Sequence, residues 1–307
     1  MGALSRTKIF TAIGISIIYL ILSYFLIGFK SDQLFLVFLF NSLYFINGKT
    51  RHFILAFSIF IVYWIVFDYM KAFPNYHYNP VHIEELHNLE KSVFGFNYNG
   101  SVVTPNEYFL QNKTTFLNVL TGLFYLCWIP VPLAIGAWLF IKKREAFYHF
   151  SLSFFLINLI GFVGYYSYPA AAPWYYQLYG NVFIANTPGN VAGLIEFDKY
   201  FDVTIFKSLY EKSSNVFAAM PSLHSAYPVL VVYYAFRYSK NYLLRIFTLT
   251  VMVGIWFAAV YTSHHYVLDV LMGICCAILG ILIFRVILTI KWFSNFIQYL
   301  LSQTTKR

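Results

Sequence analysis

Charged residues are scarce in this sequence. Asp, Glu, Lys and Arg make up 11% of the 307 residues, whereas 60% are hydrophobic. Soluble domains carry about 25% charged residues, so this composition excludes an ordinary soluble domain. Cysteine is scarce as well: Cys127, Cys275 and Cys276 all lie in apolar runs, without the spacing of a disulfide framework or a zinc site. Low-complexity linkers and tandem repeats are also absent, which favours one integral domain over residues 1–307.

Long apolar runs recur along the chain and predict an all-α polytopic membrane protein. We read about eight transmembrane helices, in the runs Ile9–Ile27, Leu34–Ile46, Phe53–Tyr69, Phe116–Ile141, Phe147–Tyr166, Leu223–Tyr238, Leu243–Tyr261 and Tyr266–Ile290. Between the third and fourth runs, Val81–Phe94 is typical of an amphipathic helix at the membrane interface.

Lysine and arginine alternate between the connections of these runs. With eight spans, most of the basic residues fall on the side that holds both termini, and most of the acidic residues fall on the other. The positive-inside rule makes the basic side cytoplasmic. The two long loops, about Lys71–Thr115 and Pro169–Pro221, are then extracytoplasmic. The net charge of +9 follows from this topology and gives no reason to infer a nucleic-acid partner.

Two short segments carry the candidate chemistry, and both lie where a span begins on the extracytoplasmic side. Pro221-Ser222-Leu223-His224 opens the sixth run, and His265-Tyr266-Val267-Leu268-Asp269 opens the eighth. His265 and Asp269 are four residues apart, so on a helix they share one face. A carboxylate beside an imidazole fixes its tautomer and raises its basicity, which predicts a nucleophile at His265 and an acid at His224.

The backbone at the start of the sixth run also favours an anion. Pro221 and Ser222 at a helix start leave free N–H groups, which makes Ser222 a candidate substrate contact.

Other interpretations remain open at this point. A single histidine near a membrane interface is usually structural, and we read His52, His77, His82, His87 and His149 in this way. Metal binding is the competing functional interpretation, because His224, His265 and Asp269 are the ligand types of a two-histidine, one-carboxylate site. No clear fourth ligand accompanies them.

The two segments resemble the second and third signature motifs of the type 2 phosphatidic acid phosphatase (PAP2) superfamily. A third segment, Tyr168-Pro169-Ala170-Ala171-Ala172-Pro173-Trp174-Tyr175, narrows the resemblance. Together with Asn215–Met220 and the doubled histidine His264-His265, it is similar to the inositol phosphorylceramide synthase branch, the target of the antifungal aureobasidin. The resemblance covers roughly residues 165–273.

The resemblance implies a mechanism without a metal or another cofactor. His265 attacks a lipid-linked phosphate, Asp269 stabilises the charge that develops on the imidazole, and His224 protonates the departing lipid alkoxide. A phosphohistidine forms, and an acceptor hydroxyl then takes the phosphoryl group.

The chain departs from the wider superfamily in the basic residues of two motifs. The phosphatases carry a lysine and an arginine in their first motif, whereas the Tyr168–Tyr175 segment has no Lys or Arg. They also carry an arginine six residues before the nucleophilic histidine, where this chain has Ala259. A phosphodiester donor carries about one negative charge fewer than a monoester, which makes these losses tolerable. His264 is a candidate replacement, as are the loop residues Lys91, Lys207 and Lys212.

The Tyr168–Tyr175 segment is predicted to shape the acceptor pocket. Its prolines stiffen it, its alanines, Ala171 among them, leave room, and Trp174 offers an amphipathic wall at headgroup depth. Tyr168 is a further candidate substrate contact. The alternative is that the segment is merely an interfacial turn.

The sequence leaves three functional hypotheses to compare. The first is a phosphotransferase that moves phosphoinositol from a glycerophospholipid donor to a sphingolipid-type acceptor, and the second is a lipid phosphatase with water as acceptor. The third is a non-catalytic scaffold or transporter, against which the intact His224, His265 and Asp269 argue. We divide the domain into two accessory spans in residues 1–50, a catalytic core over 51–290 and a cytoplasmic tail over 291–307.

Overall fold

The computed structural model describes residues 5–212 and 215–304, and the regular structure in these ranges is almost entirely helical. The helices α1 to α15, in chain order, are Arg6–Ile27, Ser31–Ile46, Gly48–Tyr69, Glu84–Phe94, Pro105–Gln111, Thr115–Leu126, Pro130–Lys142, Arg144–Ser167, Pro173–Tyr179, Ile195–Phe201, Ile205–Tyr210, Leu223–Tyr238, Tyr242–Tyr261, Val267–Ile287 and Lys291–Thr304. Strands β1 (Phe96–Tyr98) and β2 (Ser101–Val103) form a short antiparallel hairpin in which Phe96 pairs with Val103.

The predicted all-α polytopic membrane fold is confirmed. Within the described ranges, six helical segments are long and apolar enough to cross a membrane: Arg6–Ile27, Gly48–Ala72, Thr115–Lys142, Arg144–Ser167, Tyr242–Tyr261 and Val267–Ile287. The second of these adds one short turn to α3, and the third joins α6 and α7. The second and sixth predicted spans form shorter helices, α2 and α12, of 16 residues each. The count of eight spans stays a prediction.

Proline residues lie inside two of the predicted spans. The fourth run is divided into α6 and α7, because Pro130 and Pro132 lack the N–H groups that would continue the helical hydrogen bonds. Pro228 lies inside α12 and for the same reason offers no donor to the carbonyl of His224, four residues earlier. The helix that carries His224 is continuous and lacks this one backbone hydrogen bond.

The chain divides into two compact units. The first comprises Met1–Phe73 and Leu288–Arg307, and in it α3 packs against α2 and α15. Its contacts include a polar one, from Nδ2 of Asn41 to Oγ of Ser16 at 2.8 Å. Helix α3, at the start of the core in the sequence-based division, belongs to this unit.

The second unit, Pro74–Ile287, contains every candidate site residue. Here α12 packs against α8, α13 and α14, and α8 also packs against α7 and α14. Gly273 permits a close approach within this group, because a Cβ at that position would collide with the backbone carbonyl of Ser222. The turn before α12 therefore lies directly against α14.

Extended segments of the two long loops pair beside the start of α14. Ala170 forms parallel bridges with His82 on one side and Ala218 on the other. The N–H of Ala219 donates to the carbonyl of Ala170 at 3.2 Å. This pairing fixes the chain immediately before the cis peptide bond between Met220 and Pro221.

Candidate active site

His224 occupies the first turn of α12, and Ser222 begins that helix. The hydroxyl of Ser222 accepts the N–H of Ser225 at 3.3 Å, which is an N-cap. The N–H of Ser222 donates to the carbonyl of Asp269 at 2.9 Å. One backbone hydrogen bond therefore ties the segment that carries His224 to the helix that carries Asp269.

His265 lies in the tight connection between α13 and α14, and two acceptors flank one edge of its ring. Its Nδ1 is 2.9 Å from the carbonyl oxygen of Ala219 and 3.6 Å from Oδ2 of Asp269. A carbonyl oxygen can only accept, so Nδ1 carries the proton and Nε2 holds a lone pair. Nε2 faces Nδ1 of His224 at 3.2 Å. The structure thus brings the predicted nucleophile and the predicted acid into contact.

Burial keeps His265 neutral. The side chain is almost inaccessible, and this desolvation lowers the pKa of His265 to about 4, although the hydrogen bond to Ala219 acts in the opposite direction. Near neutral pH the imidazole is therefore uncharged, as a nucleophile must be.

Asp269 is completely buried in the first turn of α14. Its Oδ2 accepts the N–H of Tyr266 at 2.8 Å, whereas Oδ1 has no hydrogen-bond partner among the described residues. Asp269 and His224 face opposite nitrogens of the His265 ring, so the three side chains do not converge on one ion position. This arrangement suits a nucleophile between an acid and a charge partner.

Two tyrosines extend the histidine pair, and sequence reasoning missed both. The hydroxyl of Tyr125, from α6, lies 3.2 Å from Nδ1 of His224. Tyr210, at the end of α11, donates its hydroxyl to that of Tyr125 at 3.0 Å. Nδ1 of His224 therefore has two neighbours, the Tyr125 hydroxyl and Nε2 of His265, and a hydrogen-bonded chain runs from Tyr210 to the nucleophile.

Two further residues hold these groups in place. Trp128, in the break between α6 and α7, packs edge-on against the ring of His224, with 4.5 Å between ring centroids. The amide of Asn106, fully buried in α5, donates to the carbonyls of Val260 and His265 at 2.8 and 2.9 Å. Asn106 thereby fixes the connection from both ends.

The predicted substrate contacts lie around this centre. His264 stacks on Tyr210 with 4.2 Å between ring centroids, and its Nε2 lies 3.1 Å from the carbonyl of Val191. Burial lowers the pKa of His264 well below its ordinary value, so the ring is neutral and supplies no cation.

The Tyr168–Tyr175 segment is packed rather than open. Ala171 is 1% exposed, and Tyr168 stacks on His82. Trp174 is buried, and its backbone N–H donates to the carbonyl of Ser263. Ala170, through its pairing with Ala219, supports the carbonyl that anchors His265. A role of this segment in binding the acceptor stays a prediction.

The candidate phosphate-binding lysines lie in the two long loops. Lys207 is exposed on α11, where its N–H donates to the buried carboxylate of Asp198, and Lys91 lies in the last turn of α4. Which cation faces the phosphate stays a prediction.

Comparison with known proteins decides the family. Residues 84–283, about two thirds of the chain, match the PAP2 superfamily. The chain belongs to the PAP2 superfamily. The resemblance found in the sequence motifs is thereby confirmed.

Curated relatives of this PAP2 protein include lipid synthases. The chain is 45% identical to the phosphoinositol dihydroceramide synthase of Bacteroides thetaiotaomicron, over 95% of this chain and 96% of the relative. It is 26% identical to the catalytic subunits of inositol phosphorylceramide synthase from Saccharomyces cerevisiae and Schizosaccharomyces pombe, over 73% and 72% of this chain and 54% and 51% of the relatives. No solved structure matches this PAP2 chain.

Proposed function

We propose that this protein is a lipid phosphotransferase that moves phosphoinositol from phosphatidylinositol to the hydroxyl group of a ceramide-type lipid and releases diacylglycerol. The observation that carries the proposal is the contact between Nε2 of His265 and Nδ1 of His224 at 3.2 Å, with the other nitrogen of His265 held by Ala219. The near full-length similarity to a phosphoinositol dihydroceramide synthase supports the choice of headgroup and acceptor.

In the first step, the lone pair of His265 Nε2 forms a bond to phosphorus, and the bond between phosphorus and the diacylglycerol oxygen breaks. His224 gives its proton to that oxygen, so neutral diacylglycerol leaves. The imidazole of His265 becomes positively charged, and Asp269 and the Ala219 carbonyl lie beside the Nδ1–H that carries part of this charge.

In the second step, the acceptor hydroxyl attacks phosphorus and the bond to His265 breaks. The proton of the hydroxyl passes to His224, which restores the acid for the next cycle. Each histidine ends in its starting state, so His224 and His265 complete the cycle without a further proton donor.

The tyrosines near His224 fit a phosphodiester donor. Tyr125 places a neutral hydroxyl group beside His224, and Tyr210 donates its own hydroxyl to that of Tyr125. A diester carries about one negative charge, for which neutral donors are better matched than for a doubly charged monoester.

In the proposed orientation, this multi-pass membrane protein has cytoplasmic termini and an extracytoplasmic active site. The alternation of basic and acidic residues along the chain supports it.

Purified protein with labelled phosphatidylinositol, with and without ceramide, tests the proposal. A labelled sphingolipid that appears only with ceramide is the expected product, and the His265→Ala variant is the control for contaminating activity. Release of free inositol phosphate at the same rate with and without ceramide would show water to be the acceptor and would favour the phosphatase alternative.

A further inference from the structure

Glu90 is a buried carboxylate outside the catalytic residues, and it contacts the backbone beside them. Helix α4 presents this side chain, which is fully inaccessible, to the start of α14. Oε1 of Glu90 accepts the N–H of Val267 at 2.9 Å, and Oε2 accepts the N–H of Leu268 at 3.1 Å. Both N–H groups belong to the short segment between His265 and Asp269.

These bonds satisfy donors that a helix start leaves unpaired. The first N–H groups of a helix have no partner within it and carry its partial positive charge. At the start of α14, Oδ2 of Asp269 takes the N–H of Tyr266, and Glu90 takes the next two. Two carboxylates thus pair three consecutive N–H groups, and one of these carboxylates is the charge partner of the nucleophile.

A second residue of α4 contacts the same segment. Nδ1 of His87 lies 3.4 Å from the hydroxyl of Tyr266. The His87 ring stacks on Tyr176 of α9 at 3.9 Å between centroids, and its Nε2 is 3.6 Å from Oε1 of Glu107 in α5. Helix α4 is therefore supported by α5 and α9 where it meets α14.

We infer that Glu90 is a positioning residue for phosphoryl transfer, which fixes the start of α14 and thereby the placement of His265 and Asp269. The inference rests on the proposed function, because its turnover assay measures that reaction. The capping interaction can be measured without turnover.

The ionised form of Glu90 is the form that fits the two N–H groups. A protonated carboxyl has one accepting oxygen and one O–H, so it can pair well with only one of the two. Burial raises the pKa of Glu90 to about 7, and the charge of Asp269 acts in the same direction. As the pH falls through about 7, the cap weakens and turnover falls with it.

Asp269 and Tyr266 are the titratable groups that interact with Glu90 itself. His87 and Lys91 of α4, Glu107 of α5 and Tyr176 of α9 lie around His87 and Tyr266. Burial lowers the pKa of His87 and raises that of Tyr266, so both are neutral near pH 7. With the pKa of His265 at about 4, the nucleophile does not titrate in this range.

The turnover test compares kcat and KM of the wild type, Glu90→Gln, Glu90→Asp and Glu85→Gln between pH 5.5 and 9. Glu90→Gln is expected to lower kcat about tenfold at pH 8 with little change in KM, since one charge-assisted hydrogen bond is lost. Its profile should lack the inflection near pH 7, whereas Glu90→Asp should keep an inflection at a shifted pH. Glu85, exposed on the same helix, is the matched control and should behave as wild type.

Hydrogen–deuterium exchange tests the capping interaction without turnover. Peptides that cover residues 266–268 should lose protection in Glu90→Gln at pH 8, relative to both wild type and Glu85→Gln. Equal protection, or wild-type kcat with an unchanged inflection, would overturn the inference. If Glu90→Gln fails to fold, the pH profile of kcat for Glu90→Asp tests the inference instead. An inflection at the same pH as in the wild type would then overturn it. Absence of a sphingolipid product in the wild type would instead contradict the proposed function, and the exchange result would still decide the role of Glu90.

Discussion

At the nucleophile, one N–H group lies between two acceptors of different kinds. The carbonyl of Ala219 is 2.9 Å from Nδ1 of His265, whereas the carboxylate of Asp269 is 3.6 Å away. The carbonyl is therefore sufficient to fix the tautomer of the neutral ring. The carboxylate contributes mainly when the ring becomes positively charged, because its charge stabilises a cation more strongly than a neutral donor.

This division of roles separates two substitutions. His265→Ala should abolish transfer, because alanine offers no nucleophile. Asp269→Asn should keep the tautomer and lose roughly 10²- to 10³-fold in kcat, the order expected when one electrostatic contact to the transition state is removed. Initial rates with labelled phosphatidylinositol measure both, and circular dichroism confirms that each variant is folded. Transfer at the wild-type rate by a folded His265→Ala variant is incompatible with a phosphohistidine at this position.

Tyr125 should matter through its hydroxyl group alone. When phosphorus occupies Nε2 of His265, Nδ1 of His224 loses that neighbour, and the Tyr125 hydroxyl, which can donate or accept, becomes its remaining partner. Tyr125→Phe is expected to lower kcat roughly tenfold, the effect of one hydrogen bond to a charged group, with KM nearly unchanged. Tyr242→Phe, at a tyrosine that is 72% exposed, is the control. Equal kcat values for the two variants would exclude this role of Tyr125.

At the scale of helices, the contact between α14 and the turn before α12 depends on a missing side chain. A Cβ at Gly273 would collide with the carbonyl of Ser222, so Gly273→Ala should force the two elements apart and destabilise the protein by about 1–3 kcal/mol. The reference is Gly14→Ala in α1, where a Cβ meets nothing within 4 Å and helix propensity favours alanine. Thermal denaturation in one detergent measures both, and a midpoint for Gly273→Ala at or above that of Gly14→Ala would refute the packing argument.

The helices and the central histidines could be predicted from the sequence because their signals are local. Each apolar run is a continuous stretch, and His265 and Asp269 are four residues apart, so both signals lie within one segment. The contact of His224 with His265 followed from the signature motifs, which are also local. The break between α6 and α7 was missed, although Pro130 and Pro132 mark it.

The residues around these histidines could not be predicted from the sequence, because tertiary packing brings them together from distant segments. Tyr125 is 99 residues from His224, and Glu90 is 177 residues from Val267. Neither has a spacing that sets it apart, and the chain contains 27 tyrosines. His87, which we read as structural from the sequence, lies in the supporting layer beside Tyr266.

For the whole molecule, the charge pattern predicts which connections face the cytoplasm. A single cysteine at Gly189, in the loop before α12, should react with a membrane-impermeant maleimide added from outside. A cysteine at Lys240, between α12 and α13, should react only after the membrane is opened. The natural Cys127, Cys275 and Cys276 are first replaced to remove background labelling. The reverse pattern would place the active site on the cytoplasmic face.

The contact between the two catalytic histidines has a consequence for the idle enzyme. With His265 Nδ1 protonated, its bare Nε2 is an acceptor for the N–H of His224, and the ring of His265 is almost inaccessible to water. The nucleophile is thus occupied by its own acid until a phosphate displaces it. Electrophiles that acylate free imidazole, such as diethyl pyrocarbonate, should modify His265 slowly in the wild type and faster in His224→Ala, as mass spectrometry of the peptide would show. The hydrogen bond from His224 thus protects Nε2 of His265 from side reactions between turnovers.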